Sequence, residues 1–222
     1  MFRATMNKVL IVGAGGHGQV VADILLQTSQ AGGGCCPIGF LDDDPSLLGK
    51  HVLGLPVLGT VAQWNQFEHD GLIVAIGNNQ IRSRIFQSLR SRGGKLLSAV
   101  HPAAVLGREV QIGEGVMICA GVVVNPGAAI GDNVILNTGC TVDHHCQIAP
   151  HAHLGPGVHL GGQVAIGEGA FLGIGACVLP QRQVGAWSVI GAGAVVTENI
   201  PAYVTAVGIP ARVVKPLTEA NA

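Results

Sequence analysis

Aliphatic residues recur at every sixth position over the longest patterned stretch of the chain, residues 106–201. From residue 106 to residue 196 there are 15 steps of six, which gives 16 consecutive blocks without an insertion. The residues that open the blocks are Leu106, Ile112, Ile118, Val124, Ile130, Leu136, Val142, Ile148, Leu154, Leu160, Ile166, Leu172, Val178, Val184, Ile190 and Val196. A period of six matches neither the 3.6-residue period of an amphipathic helix nor a single alternating strand. It is typical of short strands joined by tight turns and predicts a parallel β-helix.

Two other positions of each block are also constrained. The fifth position is small or apolar at Val110, Val116, Val122, Ala128, Val134, Cys140, Cys146, Ala152, Val158, Val164, Ala170, Ala176 and Ala194, with Arg182 and Ser188 as exceptions. We therefore expect positions one and five to face the interior. Glycine is frequent at position two, where we expect it to provide turn dihedrals that a Cβ atom would oppose.

An α/β pattern precedes the repeats. Residues 8–12 predict a strand, Gly13 to Gly18 spell G-x-G-x-x-G, and residues 19–28 predict a helix. A strand, glycine loop and helix in this order direct backbone N–H groups and a helix N-terminus at a phosphate. Tight packing of the helix on its strand would explain the same glycines, so the motif alone leaves both interpretations open.

Two further strands complete this part of the chain. Residues 38–41 lead into carboxylates that include Asp42 and Asp43, and residues 72–76 end at Gly77 before a second helix. Such carboxylates, at a strand end, suit a ribose or base contact. The sequence thus predicts an α/β N-terminal domain with a short parallel sheet in residues 1–100. That length suits one nucleotide diphosphate group better than NAD, and residues 101–222 form the β-helix domain with a C-terminal tail.

Composition and charge narrow the function classes. A formal net charge of −1 argues against nucleic acid or an anionic membrane as the main partner. No uncharged apolar run approaches the roughly 18 residues that span a bilayer, and no secretory signal is visible. Six cysteines form no disulfide framework, with Cys35 and Cys36 expected in a loop, so we expect a reducing, cytoplasmic compartment.

Several motifs, taken together, resemble one family. GAGGHG (13–18), FLDD (40–43), AIGNN (75–79), NTGCTVDHHC (137–146), FLGIGACVLP (171–180) and VGIPARVV (207–214) occur in the order and spacing of hexapeptide-repeat sugar-nucleotide acetyltransferases. The resemblance covers about residues 7–216. It extends to N-acetyltransferases of bacillosamine and perosamine type, which act on 4-amino-4,6-dideoxy nucleotide sugars, and to sialic acid O-acetyltransferase-like proteins.

The resemblance implies three blocks per coil and a left-handed β-helix, so that equivalent residues stack at intervals of 18. It also implies a homotrimer, a sugar nucleotide held by the N-terminal domain, acetyl-CoA in the groove between two β-helices, and a histidine base. Val123, Ile135 and Phe171 are apolar residues expected to face outward toward such an interface.

The resemblance assigns roles to individual residues. The substrate-binding residues it implies are Gly15, Gly16 and His17 around the diphosphate and sugar, Asp42 and Asp43 at the base or ribose, Gly77 against the nucleotide, and Asn137 beside the sugar. The acetyl-CoA-binding residues it implies are His153 at the acyl end, Ile174 and Ala192 along the groove, and Arg212 near a phosphate. Arg182 and Trp187, which interrupt the repeat, are candidates for the coenzyme groove or the interface.

Five of the nine histidines fall within 16 residues, at positions 144, 145, 151, 153 and 159, and repeat geometry predicts that all of them are outward or at corners. By its place in the motif, His144 matches the family's catalytic base. Imidazole groups titrate near neutral pH, which suits proton removal from a sugar amine. Some family members carry glutamate after the base, whereas this chain has His145 there and Asp143 on the other side. Spacing alone does not decide which of these two assists His144.

Alternatives to N-acetylation remain at this stage. The first is O-acetylation of a sugar. The second is a zinc site like that of trimeric left-handed β-helix carbonic anhydrases, which the nucleotide-type N-terminal domain argues against, so no metal is expected. The third is a non-catalytic binding trimer. A covalent acetyl-enzyme is disfavoured because Cys146 occupies an inward fifth position. The sequence does not specify UDP, GDP or dTDP, or the sugar.

Overall fold

The structure, a computed structural model, describes residues 6–218. The chain divides into two compact units, one ending at Pro102 and the other beginning at Ala103. The expected absence of an N-terminal signal rests partly on residues 1–5, which lie outside the described residues. Within residues 6–218, no helix combines the length and apolar composition that crossing a bilayer requires.

The first unit is a five-stranded sheet with helices. Its strands are β1 (Asn7–Val12), β2 (Cys35–Leu41), β3 (His51–Val52), β4 (Leu55–Gly59) and β5 (Gly71–Val74), and a short strand β6 (Ala99–Val100) follows. Its helices are α1 (Gly16–Gln30), the 3₁₀ helix Val61–Gln66 and α2 (Asn79–Ser91). The sheet order is β3-β4-β2-β1-β5, parallel except for the β3–β4 hairpin. The apolar strands bury Leu10, Val12, Leu41, Leu72 and Val74 in one core.

The first unit differs from the sequence expectations in three respects. Cys35 and Cys36 lie in β2, not in a loop. The helix α1 begins at Gly16 instead of near residue 19, because the last glycine of the motif lies inside its first turn. The hairpin of β3 with β4 was not anticipated, since a two-residue strand leaves no period to detect.

The second unit is a left-handed parallel β-helix. Each repeat contributes a two-residue strand from position six of one block and position one of the next. These strands are β7 (Val105–Leu106), β8 (Gln111–Ile112), β9 (Met117–Ile118), β10 (Val123–Val124), β11 (Ala129–Ile130), β12 (Ile135–Leu136), β13 (Thr141–Val142), β14 (Gln147–Ile148), β15 (His153–Leu154), β16 (His159–Leu160), β17 (Ala165–Ile166), β18 (Phe171–Leu172), β19 (Cys177–Val178), β20 (Gln183–Val184), β21 (Val189–Ile190) and β22 (Val195–Val196). After them, β23 (Val204–Val207) and β24 (Arg212–Pro216) form an antiparallel hairpin.

Three sheets form the faces of the prism. The first is β7-β10-β13-β16-β19-β22, the second is β8-β11-β14-β17-β20, and the third continues from β9 through β12, β15, β18 and β21 to β23 and β24. Pairing is in strict register, as when Val123 aligns with Val105 on one side and Thr141 on the other. The difference of 18 residues between partners confirms three blocks per coil.

Positions one and five fill the interior, as expected. From Val116 to Val196 the side chains at these positions are almost all buried, whereas Leu106 on the first coil is partly exposed. Ser188, an exception at position five, is fully buried because its hydroxyl donates to Pro201 O (2.7 Å) and accepts from Val204 N (3.2 Å). A hydroxyl is tolerated in the core here because both of its hydrogen-bonding roles are satisfied.

The turn dihedrals were assigned to the wrong position of the block. Every residue at position four from residue 109 to residue 193 has a positive φ, whether or not it is glycine. Position two holds glycine for a different reason: a Cβ on Gly107 would lie 2.7 Å from Pro126 N of the next coil, and one on Gly131 would lie 2.7 Å from Pro150 N. Close approach of the coils, not backbone conformation, requires glycine there.

Candidate active site

The glycine-rich loop after β1 contains two glycines that the chain requires and two that it does not. Gly13 has a φ of +102°, a region that side chains disfavour. A Cβ on Gly18 would collide with the carbonyl oxygen of Gly13. Gly15 and Gly16 are exposed, and a Cβ on either would meet open space. The backbone at these two residues is therefore open to a ligand at the N-terminus of the 15-residue helix α1, where free N–H groups attract phosphate.

The carboxylates after β2 hold the loops at this edge of the sheet. Asp42 accepts hydrogen bonds from Ala14 N through Oδ2 (2.7 Å) and from Asp44 N through Oδ1 (2.9 Å). Oδ1 of Asp43 accepts from Val61 N (2.9 Å), at the start of the 3₁₀ helix. Asp42 thus ties the glycine-rich loop to the loop after β2. The predicted contact of Asp42 and Asp43 with a base or ribose stays a prediction.

A buried arginine lies under the third loop. Arg82 of α2 is fully buried, and its Nη1 donates to Ile76 O (3.0 Å) and to Oδ1 of Asn79 (2.9 Å), which shapes the turn around the exposed Gly77. Burial lowers the pKa of Arg82 to about 9, so the group remains charged at neutral pH. Sequence reasoning missed this residue, because a charged residue in a helix is normally assigned to the solvent face.

His17, at the start of α1, is held neutral. Burial, followed by the positive charge of Arg82, lowers the pKa of His17 to about 4. A neutral imidazole donates one hydrogen bond and accepts another. His17 therefore offers the glycine-rich loop a hydrogen-bonding group, not a positive charge, at physiological pH.

Asp143, His144 and His145 occupy the corner between β13 and β14. Nδ1 of His144 lies 3.1 Å from Nδ1 of His145, and the rings meet edge to face with centroids 5.3 Å apart. Oδ1 of Asp143 accepts from the backbone N of His144 (2.7 Å) and from Nδ2 of Asn125 (2.8 Å). These hydrogen bonds, with that of Asn125 contributing most, lower the pKa of Asp143. Within residues 6–218, the Asp143 carboxylate makes no hydrogen bond to either imidazole, so it fixes the backbone of the corner.

Two glycines on neighbouring coils leave room for the imidazole rings. A Cβ on Gly162 would lie 2.5 Å from Nε2 of His144, and a Cβ on Gly127 would lie 2.9 Å from Cδ2 of His145. Both histidines remain exposed. The ring of His144 thus lies over Gly162, one coil further on, with Nδ1 turned toward His145.

The expectation that all five clustered histidines are outward or at corners was wrong for two of them. His151 is 5% exposed and His153 is 8% exposed. Nδ2 of Asn133 lies 2.8 Å from Nδ1 of His151, and Nδ2 of Asn137 lies 3.3 Å from Nε2 of His153. Repeat position gives the direction in which a side chain leaves the backbone, but not the partners from adjacent coils that cover it.

The third face of the prism carries large apolar side chains around His153. The ring of His153 meets that of Phe171 edge to face, with centroids 5.1 Å apart. Ile135, in register with His153, is fully buried, so the expectation that Ile135 faces outward was also wrong. His159, on the first face, is exposed, and its Nδ1 lies 2.9 Å from Oγ1 of Thr141.

The predicted acetyl-CoA residues lie toward the C-terminal end of the unit. Ile174, 63% exposed, and the exposed Ala192 both occupy position three of corresponding corners, one coil apart. Arg212 in β24 donates through Nη1 to Ala211 O (2.9 Å), and its Nη2 lies 3.5 Å from Oε1 of Glu198. The guanidinium is thus exposed and only weakly engaged by a surface carboxylate.

The structure brings the predicted catalytic residues of the β-helix together in two groups, not one. Asn137 and His153 meet at the corner before β13, whereas Asp143, His144 and His145 meet at the corner after it. No hydrogen bond joins the two groups within residues 6–218. A single chain therefore presents them at opposite edges of one face.

Arg182 and Trp187 fit into the repeat in different ways. The indole of Trp187 lies over Gly169 of the preceding coil, where a Cβ would collide with the ring. Arg182 is half-buried at position five, and its Nε is buried without a hydrogen-bond partner within residues 6–218. Their assignment to a coenzyme groove or interface stays a prediction.

Two other features lie outside the predicted site. A groove of about 1050 Å³ follows the second face, along Gln111, Gln147 and Gln183, and contains no predicted site residue. We assign it no chemistry, because its lining is polar amide and small apolar residues without a titratable group. Among residues 6–218, no cluster of three or more histidine, cysteine or acidic residues has the arrangement to hold a metal ion.

Comparisons with known proteins agree with both halves of this description. Residues 8–89 match the family described as PglD N-terminal domain, and residues 109–144 match the bacterial transferase hexapeptide (six repeats). UDP-N-acetylbacillosamine N-acetyltransferase of Bacillus subtilis (strain 168) is 36% identical over 113 residues, 50% of this chain and 50% of the relative. The chain spans half or less of the length of the curated relatives it matches.

Solved structures match over nearly the whole chain. The acetyltransferase domain of PglB from Neisseria gonorrhoeae FA1090 superposes with a TM-score of 0.86 and 38% identity, over 94% of this chain and 100% of that domain. A histidine-to-asparagine variant of perosamine N-acetyltransferase from Caulobacter crescentus, in complex with CoA and GDP-perosamine, superposes with a TM-score of 0.87 and 38% identity, over 95% of this chain and 98% of that chain.

The fold and the matches define an acyltransferase of the hexapeptide-repeat class with a PglD-type N-terminal domain. More particularly, the chain belongs to the hexapeptide-repeat sugar-nucleotide acetyltransferase family, which confirms the resemblance carried by its motifs.

The environment of Cys146 predicts an unreactive thiol beside the histidine pair. Cys146 is buried, its Sγ donates to Gly161 O (3.2 Å), and burial raises its pKa. Burial also raises the pKa of Cys119 to about 11 and that of Cys140 to about 12. Because a raised pKa leaves less thiolate at neutral pH, we expect N-ethylmaleimide to label the partly exposed Cys177 before these three. Peptide mass spectrometry checks the order, and labelling of Cys146 as fast as Cys177 would contradict it.

Proposed function

We propose that this protein is an acetyl-CoA-dependent N-acetyltransferase that acts on the 4-amino group of a nucleotide-linked 4-amino-4,6-dideoxy sugar. The observation that carries the proposal is the match, over 95% of the chain, to a perosamine N-acetyltransferase in complex with CoA and GDP-perosamine. The exposed imidazole of His144, positioned through Nδ1, supplies the base that such a reaction needs.

The reaction proceeds by direct attack of the amine on the thioester. The nitrogen lone pair forms the C–N bond at the acetyl carbonyl carbon, which gives a tetrahedral intermediate, while Nε2 of His144 takes a proton from the attacking nitrogen. Collapse of the intermediate breaks the C–S bond, and the departing CoA sulfur recovers that proton from the imidazolium. His144 returns to its neutral form, and no other co-reactant is required.

The N-terminal unit holds the sugar nucleotide. The open backbone at Gly15 and Gly16, at the N-terminus of α1, supports diphosphate binding. His17 and Gly77 border the nucleotide sugar, and Asp42 orders the loop that receives it. One such helix terminus suits one diphosphate group.

The β-helix holds acetyl-CoA, with His153 near the acyl end, Ile174 and Ala192 along the groove, and Arg212 near a phosphate. The exposure of Ile174, Ala192 and Arg212 supports this assignment. The six free cysteines support a reducing, cytoplasmic location.

The active form is a homotrimer with sites between subunits. The separation of the Asn137–His153 group from the His144–His145 group supports this arrangement, because a neighbouring copy is able to bring one group against the other. Closed rotational symmetry repeats such a shared site at every interface.

The mechanism predicts that His144→Ala lowers kcat by about 10²- to 10⁴-fold, the usual contribution of a general base. The melting temperature should stay close to that of the wild type, because the exposed ring adds little to the core. Steady-state release of free thiol from acetyl-CoA, with a panel of amino-sugar nucleotides as acceptors, measures the effect. Cys146→Ala is the matched control; near-full kcat for His144→Ala with loss of activity for Cys146→Ala would replace direct attack with a thiol relay.

The loop predicts a variant that separates the two ligands. Gly15→Val should raise KM for the sugar nucleotide at least about tenfold while KM for acetyl-CoA stays unchanged, because the new side chain occupies the diphosphate position. Val is sterically permitted at Gly15, whose φ is −69°, so the fold should persist. Gly34→Val, in another loop with open space, is the control. Equal losses for both ligands, or an unchanged KM for the sugar nucleotide, would remove Gly15 from the site.

The shared site predicts complementation between two inactive variants. Light scattering should give three copies of the 22.6-kDa chain. Co-expressed His144→Ala and His153→Ala chains should recover activity at about a quarter of the interfaces, where each residue comes from an intact copy. An active monomer, or mixed trimers as inactive as their parents, would contradict sites formed between subunits.

A further inference from the structure

His145 is held in an unusual backbone conformation. Its φ is 57°, and the equivalent residues on the neighbouring coils, Gly127, Gln163 and Gln181, also have positive φ. Glycine adopts this region without a steric penalty, so a histidine here costs stability relative to glycine. The same backbone, with Gly127 leaving space below, directs the His145 ring toward His144.

The contact between the rings requires one proton. Two ring nitrogens at 3.1 Å form a hydrogen bond only when one carries hydrogen and the other offers its lone pair. No carboxylate within residues 6–218 hydrogen-bonds to either ring, since Asp143 accepts from Asn125 and from the backbone of His144. The neighbouring coils present neutral groups here, namely Pro126 and Gly127 on one side and Gly162 and Gln163 on the other.

The direction of this hydrogen bond determines whether His144 works as a base. A neutral imidazole that accepts a proton at Nε2 must carry its own proton on Nδ1. The Nδ1–H of His144 then donates to the bare Nδ1 of His145, whose proton is on Nε2. The opposite direction would place the proton of His144 on Nε2 and remove its lone pair from the reaction.

Resting on the proposed function, we infer that His145 is the positioning residue for the base: its neutral Nδ1 accepts from Nδ1–H of His144 and keeps Nε2 of His144 free for the sugar amine. A neutral imidazole thus takes the place that a carboxylate occupies in relatives with glutamate after the base. Asp143, the one charged group at the corner, acts on the backbone instead.

The tautomer of His144 tests this inference without turnover. In ¹⁵N-histidine-labelled protein, NMR should show His144 protonated at Nδ1 and bare at Nε2. In His145→Gly, which suits the positive φ, the proton should shift toward Nε2. A wild-type His144 protonated at Nε2, or a tautomer that His145→Gly leaves unchanged, would overturn the assignment.

Kinetics provide the second readout. His145→Gly should lower kcat by about tenfold, a part of the 10²–10⁴ that a general base contributes, with KM for acetyl-CoA unchanged. His145→Gln should recover part of this loss, because glutamine occupies the same backbone conformation at Gln163 and offers an acceptor oxygen. Gln181→Gly, two coils away at the same corner, is the matched control and should leave kcat unchanged.

A carboxylate at this position gives a distinct pH signature. His145→Glu should move the acid limb of the kcat profile to higher pH, because a neighbouring negative charge favours protonated His144. Glu109 shows that the backbone accepts glutamate at this corner. An unchanged kcat in His145→Gly would overturn the inference. Absence of acetyl transfer with the Nδ1–H tautomer intact would refute the proposed function and leave the histidine pair standing.

Discussion

The β-helix depends on one interaction, the backbone hydrogen bonding of each coil to the coil 18 residues away. Because the register is strict, a side chain has a fixed neighbour directly above and below it. Almost every polar contact in this unit follows that interval. Examples are Asn125 with Asp143, Asn133 with His151, Thr141 with His159, and Gln163 with Gln181. The candidate active site is therefore assembled from columns of residues and not from loops.

The same constraint explains where sequence reasoning succeeded and where it failed. A six-residue period is a local signal, so the core positions and strands of the β-helix could be predicted residue by residue. Burial of His151 and His153 depends on neighbours one coil away, which block position does not encode. Asn125 was missed for the same reason, although it lies 18 residues before Asp143 and an 18-residue comparison would have found it.

The N-terminal unit was less predictable because its contacts follow no period. The G-x-G-x-x-G loop and its strand and helix were evident, yet the roles of its glycines were not. Only the structure separates Gly13 and Gly18, which the chain needs, from Gly15 and Gly16, which it does not. The buried Arg82 had no signal in the sequence, because its acceptors are mostly backbone carbonyls and one amide side chain. Such contacts arise from turn geometry and not from residue type.

The strict register also makes the β-helix a ruler with fixed graduations. Ile174 and Ala192 stand one coil apart on the same corner, and adjacent parallel strands are about 4.8 Å apart. An insertion of any length other than a multiple of 18 would turn every later side chain onto a different face or corner. Lineages of this protein are thus free to lengthen or shorten the unit only by whole coils, and the span available to an extended ligand changes in steps of one strand spacing.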